Sequence, residues 1–389
     1  MLLRGAPGRL LTALGSALLL TGILVGGCSS SDPTEAGSTA APSTQTGADT
    51  TSSGEAADSE GALFPIRVDN RLGYIDQKGD VIVEPQFDEA YPFSQGLGRI
   101  GIDQETVGKF GFVDATGAVA VEPRFSWASD FSEALAMARA TAGGKNGYID
   151  KTGAWAIEPR FTNSGDFHDG LAEAQVELGG PMGCIDRTGA FVIEPRFRYG
   201  CGFSEGLAVA ETALEPGVMP KRGYIDKTGT FVIEPRFTVA ERFSEGLAFV
   251  GVEGEAGEEF GYIDKTGAFV FKVEPLKGEP VSSFDLGFSE GLAAWVGGDG
   301  RLGYIDKTGA WAIAPAFDVV TFFSEGLAAV CVRINTSTWG YIDKSGAWVI
   351  EPRFRHAEPF SHGLARVLLG TKQAYVDLEG RVVWQASGA

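Results

Sequence analysis

The chain has 389 residues, with 32 Lys and Arg against 51 Asp and Glu, so its formal net charge is −19. A chain this acidic repels phosphate backbones, which excludes nucleic acid from the expected partners. Apolar residues make up 44 % of the sequence, enough for a large core, and the 55 glycines indicate many tight turns.

Residues 1–27 predict a secretory signal peptide. Arg4 and Arg9 precede a short apolar run over residues 10–25, which is the order found in exported proteins. This run is shorter than the roughly 20 residues that span a bilayer. It ends in Val25-Gly26-Gly27-Cys28, which resembles the bacterial lipoprotein signal. The resemblance implies that Cys28 carries lipid and that the following chain is extracytoplasmic, on a periplasmic face or at the cell surface.

A flexible tether is predicted over residues 28–62. After Cys28 the segment is rich in Ser, Thr, Gly and Ala, has six acidic residues and contains no Lys or Arg. It has too little apolar surface to fold, and its charges repel one another. The remaining residues, 63–389, hold 30 basic and 45 acidic residues, a net charge of −15, so we expect no tight contact with anionic lipid.

Residues 63–389 consist of one sequence unit repeated in tandem. A segment of the form Gly-Tyr-Ile-Asp-Lys-Thr-Gly is followed each time by an apolar stretch, usually by Glu-Pro, and then by a segment like Phe-Ser-Glu-Gly-Leu. Repetition at an interval of 34 to 42 residues indicates stacked structural units. The copies begin at Gly73, Gly111, Gly147, Gly183, Gly223, Gly261, Gly303 and Gly340, with a degenerate ninth at Ala374.

An Asp and a Gly three residues apart predict a hairpin turn in every copy. The Asp side chain caps backbone N–H groups, and the Gly supplies positive φ. Calcium ligation is the alternative, but one acid per turn is too few for six to eight oxygen ligands, so we expect no metal. The pairs are Asp76/Gly79, Asp114/Gly117, Asp150/Gly153, Asp186/Gly189, Asp226/Gly229, Asp264/Gly267, Asp306/Gly309, Asp343/Gly346 and Asp377/Gly380.

The segments around these turns predict an all-β fold. Two β-branched and aromatic strands flank each turn, proline ends the second strand, and a third strand follows the Phe-Ser-Glu-Gly turn. The body is therefore a tandem array of about nine three-stranded antiparallel units. No strand is left over to close a ring, so we expect an open, superhelical, solenoid-like array, with a closed propeller-like ring as the alternative.

The repeat resembles the bacterial WG-containing repeat family, also called KWG. The motif Trp339-Gly340-Tyr341-Ile342-Asp343 carries the resemblance, although other copies replace the Trp, for example by Leu72 or Phe110. The resemblance implies an all-β domain on secreted or membrane-anchored bacterial proteins, with no established catalytic activity.

The candidate chemical sites also have structural interpretations. The glutamates before proline could form a catalytic pair, but they are spread evenly over the units. They could equally form a charge ladder with the Arg two residues later in the same unit or with an Arg of another unit. His168, His356 and His362 lie in turns of distant units and support neither a zinc site nor a catalytic triad. We expect no cofactor and no enzyme activity.

Two aromatic positions recur, one in each strand of the hairpin. Either could stack against sugar rings, but equivalent positions of a stacked array usually form its shared core. The first-strand set is Tyr74, Phe112, Tyr148, Tyr224, Tyr262, Tyr304, Tyr341 and Tyr375, and the second-strand set is Trp155, Phe191, Phe231, Phe269, Trp311 and Trp348.

The remaining cysteines predict one disulfide. Cys184 and Cys201 are two departures from the repeat pattern within one unit, and an oxidising compartment would join them. Cys331 lies in a predicted strand, where a buried thiol is expected.

Together these features predict a monomeric, lipid-anchored extracytoplasmic protein that acts as a binding scaffold for envelope proteins. Binding of cell-wall glycan through exposed aromatics is the alternative.

Overall fold

The computed structural model describes residues 61–387, except 104–107, 213–219, 256, 275–285 and 334–337. Every regular element within these ranges is a β-strand, and they contain no helix long and apolar enough to cross a membrane. The predicted signal peptide, Cys28 and all of the tether except its last two residues lie outside the described residues.

The strands form antiparallel sheets in chain order. The first sheet contains β1 (Phe64–Val68), β2 (Arg71–Ile75) and β3 (Val81–Phe87). The second contains β4 (Glu89–Ser94), β5 (Leu97–Ile102), β6 (Lys109–Asp114) and β7 (Val119–Phe125). The third contains β8 (Trp127–Ala128), β9 (Ala136–Arg139), β10 (Asn146–Ile149) and β11 (Trp155–Phe161).

An eleven-stranded sheet follows, in which long strands run from one hairpin into the next. It contains β12 (Asn163–Ser164), β13 (Ala172–Gln175), β14 (Met182–Ile185), β15 (Phe191–Tyr199), β16 (Phe203–Ser204), β17 (Leu207–Thr212), β18 (Arg222–Ile225), β19 (Phe231–Ala240), β20 (Ala248–Gly254), β21 (Gly257–Ile263) and β22 (Phe269–Val273).

Three smaller sheets complete the described chain. The fifth contains β23 (Leu292–Val296), β24 (Leu302–Asp306) and β25 (Trp311–Phe317). The sixth contains β26 (Val319–Val320), β27 (Leu327–Arg333), β28 (Thr338–Asp343) and β29 (Trp348–Phe354). The seventh contains β30 (His356–Ala357), β31 (Leu364–Leu369), β32 (Lys372–Asp377) and β33 (Val382–Gln385).

The all-β fold class and the antiparallel hairpins agree with the sequence prediction. The four-stranded sheets differ from it, because each has a further strand ahead of the three predicted strands, with six residues in β4 and two in β8, β26 and β30. A two-residue strand has no period that a sequence pattern can indicate.

The glycine that opens each repeat permits a close crossing of two strands. A Cβ on Gly303 would lie 2.4 Å from the carbonyl oxygen of Ile313 in the next strand. That distance is far below van der Waals contact, so any larger residue would push the strands apart. The register shifts at this point of the β24–β25 pair, just before Pro315.

The core consists of apolar clusters between consecutive hairpins. One such cluster joins Phe112 of the second sheet to Phe131 and Ile149 of the third. Another cluster joins the two ends of the described chain, since Phe64 and Ile66 of the first sheet pack with Tyr375 of the last. The first and last sheets are therefore in contact.

Candidate interaction surface

The recurring aspartates hold the hairpin turns. Asp226 Oδ1 accepts hydrogen bonds from the backbone N–H of Thr228 at 2.9 Å and of Thr230 at 3.1 Å, and from the Thr228 hydroxyl at 2.6 Å. The hydroxyl bond is the main reason that the pKa of Asp226 lies below its usual range.

The other turns repeat this bonding. The Oδ1 atom of each is occupied by the turn itself, and the described part of the chain contains no group of three or more His, Cys, Asp or Glu that could hold a metal ion. The same Oδ1 bond to the backbone two residues on is made by Asp76, Asp114, Asp150, Asp186, Asp264, Asp306, Asp343 and Asp377.

The turn glycines have a second role that the sequence analysis did not assign to them. Each has the positive φ that the turn requires, between 80° and 88°. Each also packs closely on a neighbouring hairpin: a Cβ on Gly117 would lie 2.7 Å from Val83 Cγ2, and one on Gly309 would lie 2.5 Å from the ring of Phe271. They are spread one to a hairpin and do not come together in one site. The set is Gly79, Gly117, Gly153, Gly189, Gly229, Gly267, Gly309, Gly346 and Gly380.

The arginine of the Glu-Pro-Arg segment binds the next hairpin. Arg124 Nη2 donates to the carbonyl of Gly153 at 2.6 Å, and Arg236 Nη2 donates to that of Gly267 at 2.6 Å. Among the described residues no ion pair joins these arginines to the glutamates two residues before them, so the structure differs from the expected charge ladder. The same bond is made by Arg160 to Gly189, by Arg196 to Gly229 and by Arg353 to Gly380.

The seven glutamates that precede proline are all exposed. They are Glu84, Glu122, Glu158, Glu194, Glu234, Glu274 and Glu351.

The Phe-Ser-Glu-Gly turns connect consecutive units. Glu205 and Gly206 have φ values of 54° and 85°, which are typical of a two-residue type I′ hairpin. The Ser204 hydroxyl donates to the carbonyl of Phe243 in the next such turn at 2.7 Å, and the Glu205 carboxylate accepts from the N–H of Gly246 at 3.1 Å. Neighbouring turns are thus bonded through both side chains and backbone.

Lysines of the hairpin turns complete this network. Lys265 Nζ lies 3.1 Å from Glu205 Oε2, and Lys307 Nζ lies 3.1 Å from Glu245 Oε2. Both ion pairs are partly exposed, so each contributes little stability by itself. The charges of these turns are largely neutralised within the protein, which leaves few of them for a partner.

The first-strand aromatics form the core, as the structural interpretation predicts. Tyr304 has no exposed surface, and its hydroxyl donates to the carbonyl of Thr321 at 2.8 Å. Burial raises the pKa of Tyr304, so this hydroxyl stays protonated. Its ring packs edge-on against Phe323 of the next turn at 4.8 Å.

The second-strand aromatics are mostly half-buried. Trp155 packs edge-on against Phe125 at 5.5 Å, and Trp348 against Phe317 at 6.0 Å. Trp311 is the most open of the set, with 43 % of its surface exposed. The six therefore do not form a continuous platform of open rings.

The cysteines lie where the sequence places them. Cys184 and Cys201 form a disulfide, with their Cα atoms 5.6 Å apart. Cys331 is a buried free thiol, and burial raises its pKa. His168 and His362 lie in turns of different units, whereas His356, also predicted in a turn, lies in β30 and packs edge-on against Trp339 at 5.4 Å.

A charged group near the start of the third and fourth sheets was not predicted. Arg99 Nε contacts Asp130 Oδ1 at 2.9 Å, and its guanidinium lies 3.6 Å from the centre of the Tyr91 ring. Burial raises the pKa values of Asp166 and Glu173. These residues lie just before or after Phe-Ser-Glu-Gly turns, at positions that vary between copies, so no repeated motif indicates them.

The exposed apolar surface is concentrated on the last strand of each hairpin. Val192, Val232, Val270 and Val349 are between 44 % and 50 % exposed. The equivalent position is apolar in all nine copies. It is exposed in eight of them and half-buried in the ninth, at Val383. The residues at this position are Ile82, Ala120, Ala156, Val192, Val232, Val270, Ala312, Val349 and Val383. An outward strand position normally holds a polar residue, so this apolar pattern is the candidate interaction surface, and aligning the repeats could have found it.

Comparison with solved structures supports the fold and nothing finer. A crystal structure titled as the eukaryotic initiation factor aligns with a TM-score of 0.53 at 12 % identity, covering 84 % of this chain and 96 % of that one. A structure whose title describes an analysis of two prolyl endopeptidases aligns with a TM-score of 0.41 at 11 % identity, covering 84 % of this chain and 50 % of that one. No curated protein matches the sequence.

The sheets of this chain and its similarity to solved structures define an all-β repeat protein that resembles β-propellers. The chain belongs to the family described as WG containing repeat. That family matches residues 73–104, 110–145, 147–177, 182–212, 223–255, 303–333 and 339–372.

Proposed function

We propose that the repeats form a closed ring of nine units, the alternative that the sequence analysis ranked second. The bonds between the ends of the chain resemble those between internal units. The Tyr375 hydroxyl donates to the carbonyl of Pro65 at 2.8 Å, much as the Tyr74 hydroxyl donates to the carbonyl of Arg99 at 3.2 Å. Gln77 Nε2 donates to the carbonyl of His362 at 2.8 Å, as Lys265 does to Glu205.

Packing between the two ends supports the same closure. Phe64 packs edge-on against Tyr375 with ring centroids 5.5 Å apart, much as each turn phenylalanine packs on an internal tyrosine. A Cβ on Gly79 would lie 2.4 Å from the carbonyl oxygen of Val383, so the first hairpin turn lies on the last hairpin as Gly117 lies on the first.

Closure of this kind needs no extra strand, because side chains and one shared apolar cluster join the two ends. A ring also removes the exposed terminal faces that an open array must cap with polar residues.

We further propose that this ring is a monomeric extracytoplasmic scaffold, anchored by lipid on Cys28, that binds protein partners at the cell envelope. The observation that carries the proposal is the apolar position exposed on the last strand of almost every unit. Repeated surfaces of this kind suit extended partners.

Cell-wall glycan is the second candidate, and Trp311 favours it because its exposed indole could stack on a sugar ring. It ranks lower because the first-strand rings are buried and the other second-strand rings are half-buried.

Chemical cross-linking in intact envelopes tests the scaffold, with a Cys28→Ser variant to test the anchor. We expect the full chain in the membrane fraction, cross-linked to a reproducible protein partner, and the variant released from the membrane. A chain that cross-links to no protein but pellets with insoluble wall, and is displaced by soluble wall fragments, would replace this proposal with glycan binding.

A further inference from the structure

The exposed residues of the last strands alternate between apolar and acidic. Val192 is followed two residues later by Glu194, Val232 by Glu234 and Val349 by Glu351, and all six are exposed. In each pair the residue between them, such as Ile193 or Ile233, is buried, so the Val and the Glu both face outward. We call these three Val/Glu pairs, together with Ile82/Glu84, the Val-Glu surface.

The carboxylates of this surface are available to a partner. In the described chain they form no ion pair, because the nearby arginines bond to the turn glycines of the next unit. Arg236, for example, donates to Gly267 and lies 5.0 Å from the ring of Phe237. The repeat domain also has a net charge of −15, so the long-range field attracts cations.

A partner reaches this surface through side chains, not by adding a strand. Proline follows each of these glutamates, as Pro195 follows Glu194 and Pro235 follows Glu234. Proline has no N–H to donate, and it limits the edge available for strand pairing.

We propose that the Val-Glu surface binds a basic, amphipathic protein segment in which apolar residues alternate with Lys or Arg. The apolar side chains cover the valines and the cations pair with the glutamates. Because Val192/Glu194 and Val232/Glu234 lie in consecutive units, an extended partner that engages both gains affinity from multiple contacts. This inference rests on the proposed scaffold function and names its surface and the chemistry of its partner.

The test measures binding of labelled ten-residue peptides to the full chain in non-ionic detergent. One peptide alternates Val and Lys, the second alternates Ser and Lys, and the third alternates Val and Glu. We expect the Val-Lys peptide to bind at least tenfold more tightly than the other two and to weaken as salt is raised.

Variants locate the site. Val192→Ser with Val232→Ser, and separately Glu194→Gln with Glu234→Gln, should each weaken Val-Lys binding at least tenfold. Val176→Ser with Leu178→Ser removes exposed apolar side chains outside the surface and should leave binding unchanged. Equal binding of the Ser-Lys peptide, or unchanged binding by both surface variants, would overturn the inference, as would displacement of the peptide by soluble wall glycan.

The same variants separate the two proposals in envelope cross-linking. If the wild type and the surface variants cross-link equally to one protein, the scaffold function stands and the Val-Glu surface does not. If the wild type cross-links to no protein, the scaffold function itself fails.

Discussion

Removing one tyrosine hydroxyl at the seam between the first and last sheets, and one inside the array, tests ring closure through stability. Tyr375→Phe removes the bond to Pro65, and Tyr304→Phe removes the bond to Thr321 inside the array. Both tyrosines are buried, with 3 % and 0 % of their surface exposed. In a closed ring both changes remove the hydrogen bond of a buried hydroxyl, although the Pro65 carbonyl keeps a second donor, Gln373 Nε2, at 3.1 Å.

Tyr304→Phe should lose about 1–3 kcal/mol of stability, the usual cost of a buried polar group left without a partner, and Tyr375→Phe about 1 kcal/mol, the net value of one hydrogen bond. For a cooperative domain of this size, 2 kcal/mol lowers the melting temperature by about 3 °C. Phe112 provides the control for packing, because it stands where most other copies have the tyrosine and has no hydroxyl. Phe112→Leu therefore changes packing without removing a hydrogen bond.

Urea denaturation followed by tryptophan fluorescence measures both losses on the full chain. If Tyr304→Phe is destabilising while Tyr375→Phe is neutral, the ends of the chain are open to water and the ring is refuted. If neither variant loses stability, our explanation of the recurring tyrosine is wrong.

Three further predictions test other parts of the description. Gly303→Ala should cost about 3 kcal/mol of stability because its Cβ would meet the Ile313 carbonyl. Gly298→Ala, whose Cβ meets no atom within 4 Å, should be near neutral in the same denaturation assay. Equal losses of stability would contradict the close crossing of β24 and β25 at Gly303. Cys201→Ser should cost about 3 kcal/mol of stability through loop entropy. Cys331 should react with a thiol reagent only in denaturant, and rapid labelling of the native protein would contradict the burial of Cys331. Burial raises the pKa of Asp166 above the unfolded value, so the folded state loses stability as the pH rises from about 4 through the folded pKa. Asp166→Asn should therefore be more stable than wild type at pH 7 and lose that advantage near pH 4. A gain in stability that does not change with pH would refute the burial argument.

The local structure of each unit could be predicted from the sequence because its signals are short-range. The Asp226–Gly229 turn and the buried Tyr304 both follow from residues that lie close together in the chain. The disulfide between Cys184 and Cys201 was predictable for the same reason, since both depart from the pattern of a single unit. The prediction that proline ends the second strand was wrong, because β19 continues through Pro235 to Ala240.

Contacts between units could not be predicted in this way. The bond from Ser204 to the carbonyl of Phe243 depends on how two turns lie beside each other, and a single motif does not contain that information. The contact of Phe64 with Tyr375 was missed because the sequence argument looked for a closing strand, whereas side chains make the contact. The exposed valines belong to the apolar stretch of the repeat, but the motif does not show that they face outward. The charged group around Arg99 lies at positions that vary between copies.

Cross-linking of an engineered cysteine pair across the seam tests the closed ring most directly. Arg67→Cys and Gln373→Cys are introduced into the full chain with Cys331→Ser, because the backbone N–H of Arg67 lies 3.1 Å from Gln373 Oε1. A second chain carries Gln95→Cys and Ala134→Cys across an internal contact, where the N–H of Ala134 lies 2.7 Å from Gln95 Oε1. With a short bis-maleimide, a closed ring gives intramolecular cross-links of similar yield in both chains; a cross-link in the internal pair but none across the seam would contradict it.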